Sequence, residues 1–306
     1  MYAAALILGV ALLCYPLTSL ATTYPLSQPN TGVVGSVATI QSKTSDSIED
    51  LANTYDLGVM QLIAANQGLS NKVLQTTTEH PVIIPTQFVL PEPRDGVVIN
   101  LPEMRLYFFQ NQQLQTYPVG IGKVGHIIPI TTSKISKKVV NPIWIPTANI
   151  RAYNLAKHVV LPEMMLPGPN NPLGGYALYL DMPTYRIHES KHLNSIGNRA
   201  SFGCIRMRPQ DIADFFAAVP TNTKVYIINE PSKLAWLDNK LYLSVHPPLV
   251  EKPTATSTYQ GIVKMIMQFI ATKPAIVNWE LVQRIARSKD GIPHAIGFAV
   301  LNPQNL

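Results

Sequence analysis

Cysteine is nearly missing from this chain. Only two occur in 306 residues, Cys14 and Cys204. Cys14 lies in an apolar N-terminal stretch of leader length, so a single thiol is expected in the mature protein and a disulfide framework is excluded. Charge is also scarce, at 14% of residues against 46% hydrophobic. A chain of this length and apolarity has material for roughly two domains and an ample core. Long hydrophobic runs are absent: Ala3 to Leu13 is too short to span a bilayer, and no later stretch is longer. Nucleic-acid signatures are missing too, with no basic helix, no zinc-finger spacing and no aromatic RNA-binding strand. The net charge of +6 therefore points to some other anionic partner or surface.

What the chain has in quantity is proline, 26 in all. That favours turns and extended segments over a helical bundle. The N-terminal apolar run followed by Ser19-Leu20-Ala21 reads as a signal peptide over 1–21, although no basic residue precedes it. Lipidation at Cys14 is set aside, because Leu13 stands where a lipobox needs a small residue. Residues 22–35, rich in Thr, Pro, Gly and Ser, read as a linker.

A small module is expected over 36–91. Asp46 to Glu49 has the pattern of a helix start, with Ile48, Leu51, Ala52 and Tyr55 at helical spacing. Gly58 breaks the helix, Val59 to Asn66 forms a second, and Val82 to Pro85 closes the module as a strand. Pro91-Glu92-Pro93 follows, so the module reads as a separable unit on a tether. Its βααβ order, with Asn66 after the second helix, resembles a LysM module, which implies binding to the N-acetylglucosamine of glycan strands.

From about Asp95 the pattern turns to strands: Val97–Leu101, Arg105–Phe109, Leu114–Ile121, Pro142–Pro146, Tyr176–Leu180, Tyr185–His188 and Val225–Asn229. Pro209 to Ala218 is the one clear helix, with proline in its first turn. The proline-rich stretch from Ala148 to Gly175 reads as a long loop, and loops of that length commonly act as lids. Residues 246–306 read as a helical tail, on the apolar spacing of Tyr259–Ala271 and Val277–Ser288.

Chemistry concentrates in Ser201-Phe202-Gly203-Cys204-Ile205-Arg206, with His188 upstream. A nucleophilic cysteine attacks as thiolate and needs a base or cation beside it, and His188 is the candidate. This spacing and the Ser-x-Gly-Cys-apolar-Arg motif resemble the catalytic domain of the L,D-transpeptidases, the YkuD-type enzymes that act on peptidoglycan. Stretches 97–101, 117–122, 142–146, 168–178 and 227–231 are similar to the enterobacterial periplasmic branch. The resemblance implies a mainly β catalytic domain over 95–231, with YkuD-like mixed sheets and one main helix, no cofactor and a periplasmic location. It implies that Cys204 forms a thioester with a tetrapeptide stem and that His188 moves the proton. Backbone N–H groups of Gly203 and Cys204 would hold the oxyanion, Ser201 would support the loop, and Arg206 would meet a substrate carboxylate. The acceptor would be an amine of another stem or of an envelope protein, or water in a carboxypeptidase or protein-detaching reaction.

Two departures from the family pattern stand out: Glu189 and Ser190 replace the usual Gly-Thr after the base, and Phe202 replaces a histidine or small residue. Glu189, beside His188 in sequence, is expected to support the protonated imidazole. Two rival readings remain. His188-Glu189-Ser190-Lys191-His192 matches the H-E-x-x-H zinc pattern literally, but strand and turn residues flank it where a long helix is required. A peptidoglycan-binding protein without catalysis is the other, against which the intact Cys204 and His188 stand.

Overall fold

The structure is a computed structural model that describes residues 22–26, 31–43, 45–70, 74 and 80–300. The leader read over 1–21, with Cys14, lies outside the described residues.

Among the described residues the first element is β1 (Thr23–Pro25), inside the stretch whose composition reads as a linker. This strand pairs with a strand of the main sheet, so the segment is partly built into the fold. The front module then runs β2 (Val33–Gln41), α1 (Ile48–Thr54), α2 (Val59–Ala65) and β3 (Pro81–Val89), the βααβ order expected. β2 and β3 pair antiparallel over their full length. Helix α1 is capped by Ser47, whose Oγ accepts from Asp50 N–H at 3.0 Å, one position later than Asp46 and Glu49 suggested. Asn66 ends α2 as a staple: its amide donates to Ile83 O at 2.8 Å and its Oδ1 accepts from Ile83 N–H at 2.7 Å.

The main sheet collects nine strands. In chain order they are β1, β4 (Gly96–Asn100), β5 (Arg105–Gln110), β6 (Gln113–Pro118), β8 (Thr131–Val140), β9 (Tyr176–Leu180), β10 (Arg186–Glu189), β12 (Ile205–Met207) and β13 (Lys224–Ile228). Their spatial order is β1-β6-β5-β4-β13-β8-β9-β10-β12. The short strands β7 (Ile121–Gly122) and β11 (Arg199–Ser201) pair apart from it. β5 is buried on both faces, and strand alternation sorts its side chains between two cores. Leu106 and Phe108 face the catalytic core with Phe215 of the helix Pro209–Ala218. Tyr107 and Phe109 face outward, against Val34 and Phe88 of the front module. Of the expected strands, only Pro142–Pro146 is not one; it contributes a single bridge, Trp144 to Met165. The expected loop contains a helix, α3 (Ala148–Leu155), with no buried side chain.

The expected helical tail is instead an α/β unit. β14 (Ser232–Leu237), β15 (Lys240–Val245), β16 (Ala275–Val277) and β17 (His294–Ala299) form a sheet in the order β14-β15-β17-β16. Helices Tyr259–Phe269 and Trp279–Ser288 pack on it through Ile262, Ile266, Val282 and Ile285. A buried cluster joins this unit to the main sheet. Glu103 accepts from Lys233 Nζ at 2.7 Å, from Tyr107 OH at 3.0 Å and from Asn100 Nδ2 at 2.6 Å. Burial pushes the Glu103 carboxyl up, but Lys233 and His246, whose Nε2 lies 3.2 Å away, outweigh it and hold the group well below the usual carboxylate range.

No described helix is long and apolar enough to cross a membrane.

Candidate active site

The site is built by two parallel neighbours, β10 and β12, in the register Ile187–Ile205, His188–Arg206 and Glu189–Met207. Ile187 and Ile205 enter the catalytic core. Side chains alternate along a strand, so Arg186, His188 and Arg206 stand on the opposite face. Between the two strands the chain passes through β11 and a tight turn, Ser201 to Cys204. Gly203 has φ of +109° there, and a Cβ at this position would lie 2.8 Å from the ring of Tyr185. Ser201 knits the turn: its Oγ donates to Cys204 O at 2.6 Å and accepts from Gly203 N–H at 3.0 Å.

This last bond alters the expected oxyanion pair. The Gly203 N–H is committed to Ser201, whereas Cys204 N–H has no partner among the described residues.

His188 is 5% exposed, and its Nδ1 lies 2.7 Å from Glu189 O. A carbonyl only accepts, so this contact assigns the proton to Nδ1 and leaves Nε2 as a base. Burial pushes the imidazole down to about 4, with the Arg206 charge adding to the effect and the Glu189 carbonyl opposing it. The thiol of Cys204 donates to Thr184 O at 3.7 Å. Burial pushes that thiol up, although Arg186 and Arg206 act the other way. The resting pair is a neutral thiol and a neutral imidazole, so the thiol lacks the lowered pKa that an ion pair would give it.

The Glu189 backbone carbonyl orients the imidazole, but the Glu189 carboxylate does not act on it as sequence adjacency suggests. That carboxylate points to the other face of β10, where Oε2 accepts from Gly175 N–H at 2.7 Å and packs against Gly174. The residue supports the far end of the loop instead.

Cys204, His188 and Arg206 line one cavity of about 410 Å³, walled by Trp144, Ile150, Leu161 and Phe202. Residues 148–175 lie over it. Asn171 ties their base together, donating to Pro142 O at 2.8 Å and accepting from Leu173 N–H at 2.9 Å. Phe202, the second departure, becomes a docking post. Tyr153 of α3 meets its ring edge-on at 4.9 Å, and Lys123 Nζ lies between the two rings, 3.5 Å from Tyr153 and 3.7 Å from Phe202.

The model of the L,D-transpeptidase catalytic domain, YkuD, matches residues 94–227. The probable L,D-transpeptidase YcfS of Escherichia coli K12 is 34% identical over 295 residues, covering 94% of this chain and 92% of that protein. The probable L,D-transpeptidase YbiS of the same strain is 36% identical over 251 residues, 80% of each chain. ErfK/SrfK of Salmonella typhimurium, another probable L,D-transpeptidase, is 36% identical over 238 residues, 76% of each. This chain belongs to the L,D-transpeptidase family.

An L,D-transpeptidase is an acyltransferase, which removes the reading of a binding protein without catalysis. The zinc reading fails on geometry. His188 and Glu189 point to opposite faces of a strand, and His192 is exposed on the turn beyond, so the two imidazoles share no helix face. Among the described residues no group of three His, Cys, Asp or Glu is placed to hold a metal.

Sequence reasoning missed Arg186 and Thr184 at this L,D-transpeptidase site. Arg186 was legible: two residues before His188 on a strand, it had to share the face of the base. Thr184 was not, because it acts through its backbone carbonyl.

Proposed function

We propose that Cys204 is the nucleophile of a peptidoglycan L,D-transpeptidase and that His188 moves its proton. The observation that carries this is the neutral pair lining one covered cavity, with the imidazole Nδ1–H fixed on Glu189 O and Nε2 left as a base.

The thiol attacks the carbonyl between the L- and D-centred residues of a tetrapeptide stem while Nε2 takes its proton. A C–S bond forms, and the oxyanion finds the Cys204 N–H with Arg206 nearby. Collapse breaks the C–N bond; His188 gives its proton to the departing amine, and D-alanine leaves. An amine then attacks the thioester; His188 takes its proton and returns it to the sulfur as the C–S bond breaks, which restores the neutral pair. Because His188 begins neutral, the route is general-base attack, without a standing thiolate–imidazolium pair.

The amine comes from another stem, giving a 3→3 cross-link, or from an anchored envelope protein. Water in its place gives the carboxypeptidase or protein-detaching outcome. The βααβ module is the glycan-holding part, and the protein works in the periplasm after removal of its leader.

The test uses Cys204→Ala and a soluble tetrapeptide. Wild type should release D-alanine and acquire a mass adduct on Cys204; the variant should fold and do neither. Near-normal release by the variant would sink the assignment. Mass spectrometry of digested wall, with and without the active enzyme, identifies the acceptor.

A further inference from the structure

The C-terminal α/β unit takes no part in the proposed chemistry, for none of its residues lines the cavity that holds Cys204. It forms a groove of its own. Where the unit meets the ends of β2 and β3, about 1160 Å³ opens between β14, the end of helix Tyr259–Phe269 and the segments at Thr31 and Glu92 to Arg94. Ligand sites favour such junctions between units, and this one exceeds the roughly 300–1,000 Å³ usual for a compact small molecule, as an elongated ligand requires.

The walls are held firmly. Gly32 lies so close to β14 that a Cβ on it would fall 2.5 Å from Ala235 Cβ. Val33, Val89 and Ala235 are buried together at this contact. Arg94 donates from Nη1 to Thr31 O at 2.6 Å, and its Nε lies 2.9 Å from Glu92 Oε1.

The lining is of two kinds. Trp236 and Phe269 form an aromatic strip, their rings 25° from parallel with centres 6.4 Å apart, and Lys273 Nζ lies 4.2 Å from the centre of the Trp236 ring. Beside this strip stand Asp238, Gln268 and Thr272, all exposed and without a side-chain hydrogen bond or ion pair among the described residues. The charged residues of the lining are two cations, Arg94 and Lys273, and two acids, Glu92 and Asp238.

That balance selects the class of ligand. A phosphate or carboxylate would meet as many acids as cations. An apolar chain would have to strip water from four charged groups. A neutral sugar suits both parts of the lining. The C–H face of a pyranose lies flat on an aromatic ring, while its hydroxyl and acetamide groups exchange hydrogen bonds with short polar side chains at the edge.

We propose that this groove binds a glycan strand, with Trp236 as its platform, at a site separate from the front module. The peptidoglycan reading enters only in naming the cell wall as the source of the strand. A strand held here keeps the enzyme on the wall and raises the local concentration of stems without touching the reacting groups.

The experiment titrates the purified protein with the tetramer of N-acetylglucosamine by calorimetry, in wild type, Trp236→Leu and the double change Gln268→Ala with Thr272→Ala. Thermal melts check that each variant is folded. Trp236→Leu should lose one binding site relative to wild type, from two to one if the front module also binds the tetramer and from one to none if it does not. The double change alters exposed rim residues and spares the packing, and it should weaken that site on the order of tenfold, as expected for two neutral hydrogen bonds. Unchanged stoichiometry and affinity in Trp236→Leu would overturn the proposal, because all binding would then lie elsewhere. So would a wild type that binds no tetramer. Release of D-alanine from a soluble tetrapeptide should be equal in all three proteins, and a fall in both variants would overturn the proposal by placing the groove within the catalytic fold. A wild type that releases none would sink the transpeptidase assignment of Cys204, while the titration would still decide the groove.

Discussion

Arg208 donates from Nε to Asn53 Oδ1 at 2.9 Å, joining the residue four places after Cys204 to the end of the front module's first helix. The same guanidinium reaches Asp56 Oδ1 at 2.9 Å and the carbonyls of Ala52 and Leu57. Arg105, on β5, donates to Asp56 O at 2.9 Å and Gln61 Oε1 at 3.0 Å. Backbone bonds from Val59 and Met60 to Ile196 and Gly197 complete the seam.

A module held this way is not a free tether. Deleting residues 36–91 strips the partners from two buried guanidinium groups and bares the apolar outer face of the main sheet. Turnover of a soluble tetrapeptide should therefore fall along with activity on intact wall, contrary to what a separable glycan module implies. The milder Arg208→Ala should cost about 3 kcal/mol, because it leaves Asp211 buried without its cation and strips the donor from Asn53 and from the carbonyls of Ala52 and Leu57. Denaturant melts of that variant check the figure, and a change below 1 kcal/mol would mean the seam carries little.

On the proposed mechanism, His188 sets the acid limit of activity. Its folded value of about 4 lies below the ordinary histidine value of about 6.5. The imidazole should therefore remain a base until the pH nears 4, and kcat/KM should fall only there. The same shift acts on stability: this contribution is present in full above pH 6.5 and is lost as the pH drops toward 4. Removing a flanking charge with Arg206→Gln should move the limb upward. The pH dependence of Cys204 alkylation measures it without involving substrate; a limb at 6.5 in wild type would show that the imidazole is not held neutral by its surroundings.

Glu189→Gly tests whether sequence adjacency or strand geometry governs the carboxylate. It points away from the imidazole, so the pH profile should hardly move. What should change is the loop end, since Gly175 N–H loses its acceptor at a cost of about 1–2 kcal/mol. Limited proteolysis within 148–175 should quicken, and Glu189→Gln, which keeps an acceptor oxygen, should restore resistance. A shifted pH profile with an unchanged loop would return the carboxylate to the imidazole.

That residue illustrates what the sequence carried. Cys204 and His188 of the proposed site stood out through a short motif, and the strand pairs and helix Pro209–Ala218 through local periodicity. The direction of a side chain at a strand position was legible in principle, by alternation from Ile187, but adjacency to His188 obscured it. β8 was missed because its run of Thr, Ser and Lys is mostly exposed and shows no apolar alternation. β16 and β17 were missed for brevity and for Gly297, which a strand pattern does not favour. The docking of the front module rests on pairs such as Arg208 and Asn53, 155 residues apart, and no local pattern reports those.

Asp211 gives the seam its own pH dependence. Burial and the neighbouring Asp56 push its carboxyl up to about 7, and its Oδ2 is buried without a hydrogen bond. Between its unfolded value of about 4 and 7, the folded state binds more protons than the unfolded. Stability from this group therefore falls as the pH rises through that window and is lowest above 7. Asp211→Asn should raise Tm at pH 8 by about 2–4 °C for each kcal/mol relieved, and should change it little at pH 5. A lower Tm at pH 8 would mean the ionised carboxylate is worth more to Arg208, 3.7 Å away, than it costs to bury.

The lid over Cys204 should answer to Tyr153. Helix α3 buries none of its side chains, so it has no hydrophobic anchor of its own. Its link to the nucleophile's side of the cavity is the Tyr153 ring against Phe202, with Lys123 between them. His126 braces Phe202 from another side, at 4.9 Å between ring centres. Tyr153→Ala removes one ring from this stack and leaves Cys204, His188 and the arginines untouched. A bulky maleimide should then label Cys204 faster than in wild type, because the loosened wall admits it. Iodoacetamide, small enough to enter either way, should label both at similar rates, since the thiol's own surroundings are unchanged. KM for a tetrapeptide should rise more than kcat falls, as expected when a positioning wall is lost and the reacting groups are kept. If both reagents sped up together, Tyr153 would be acting on the thiol itself. If neither changed, the stack would not be what holds α3 over the cavity.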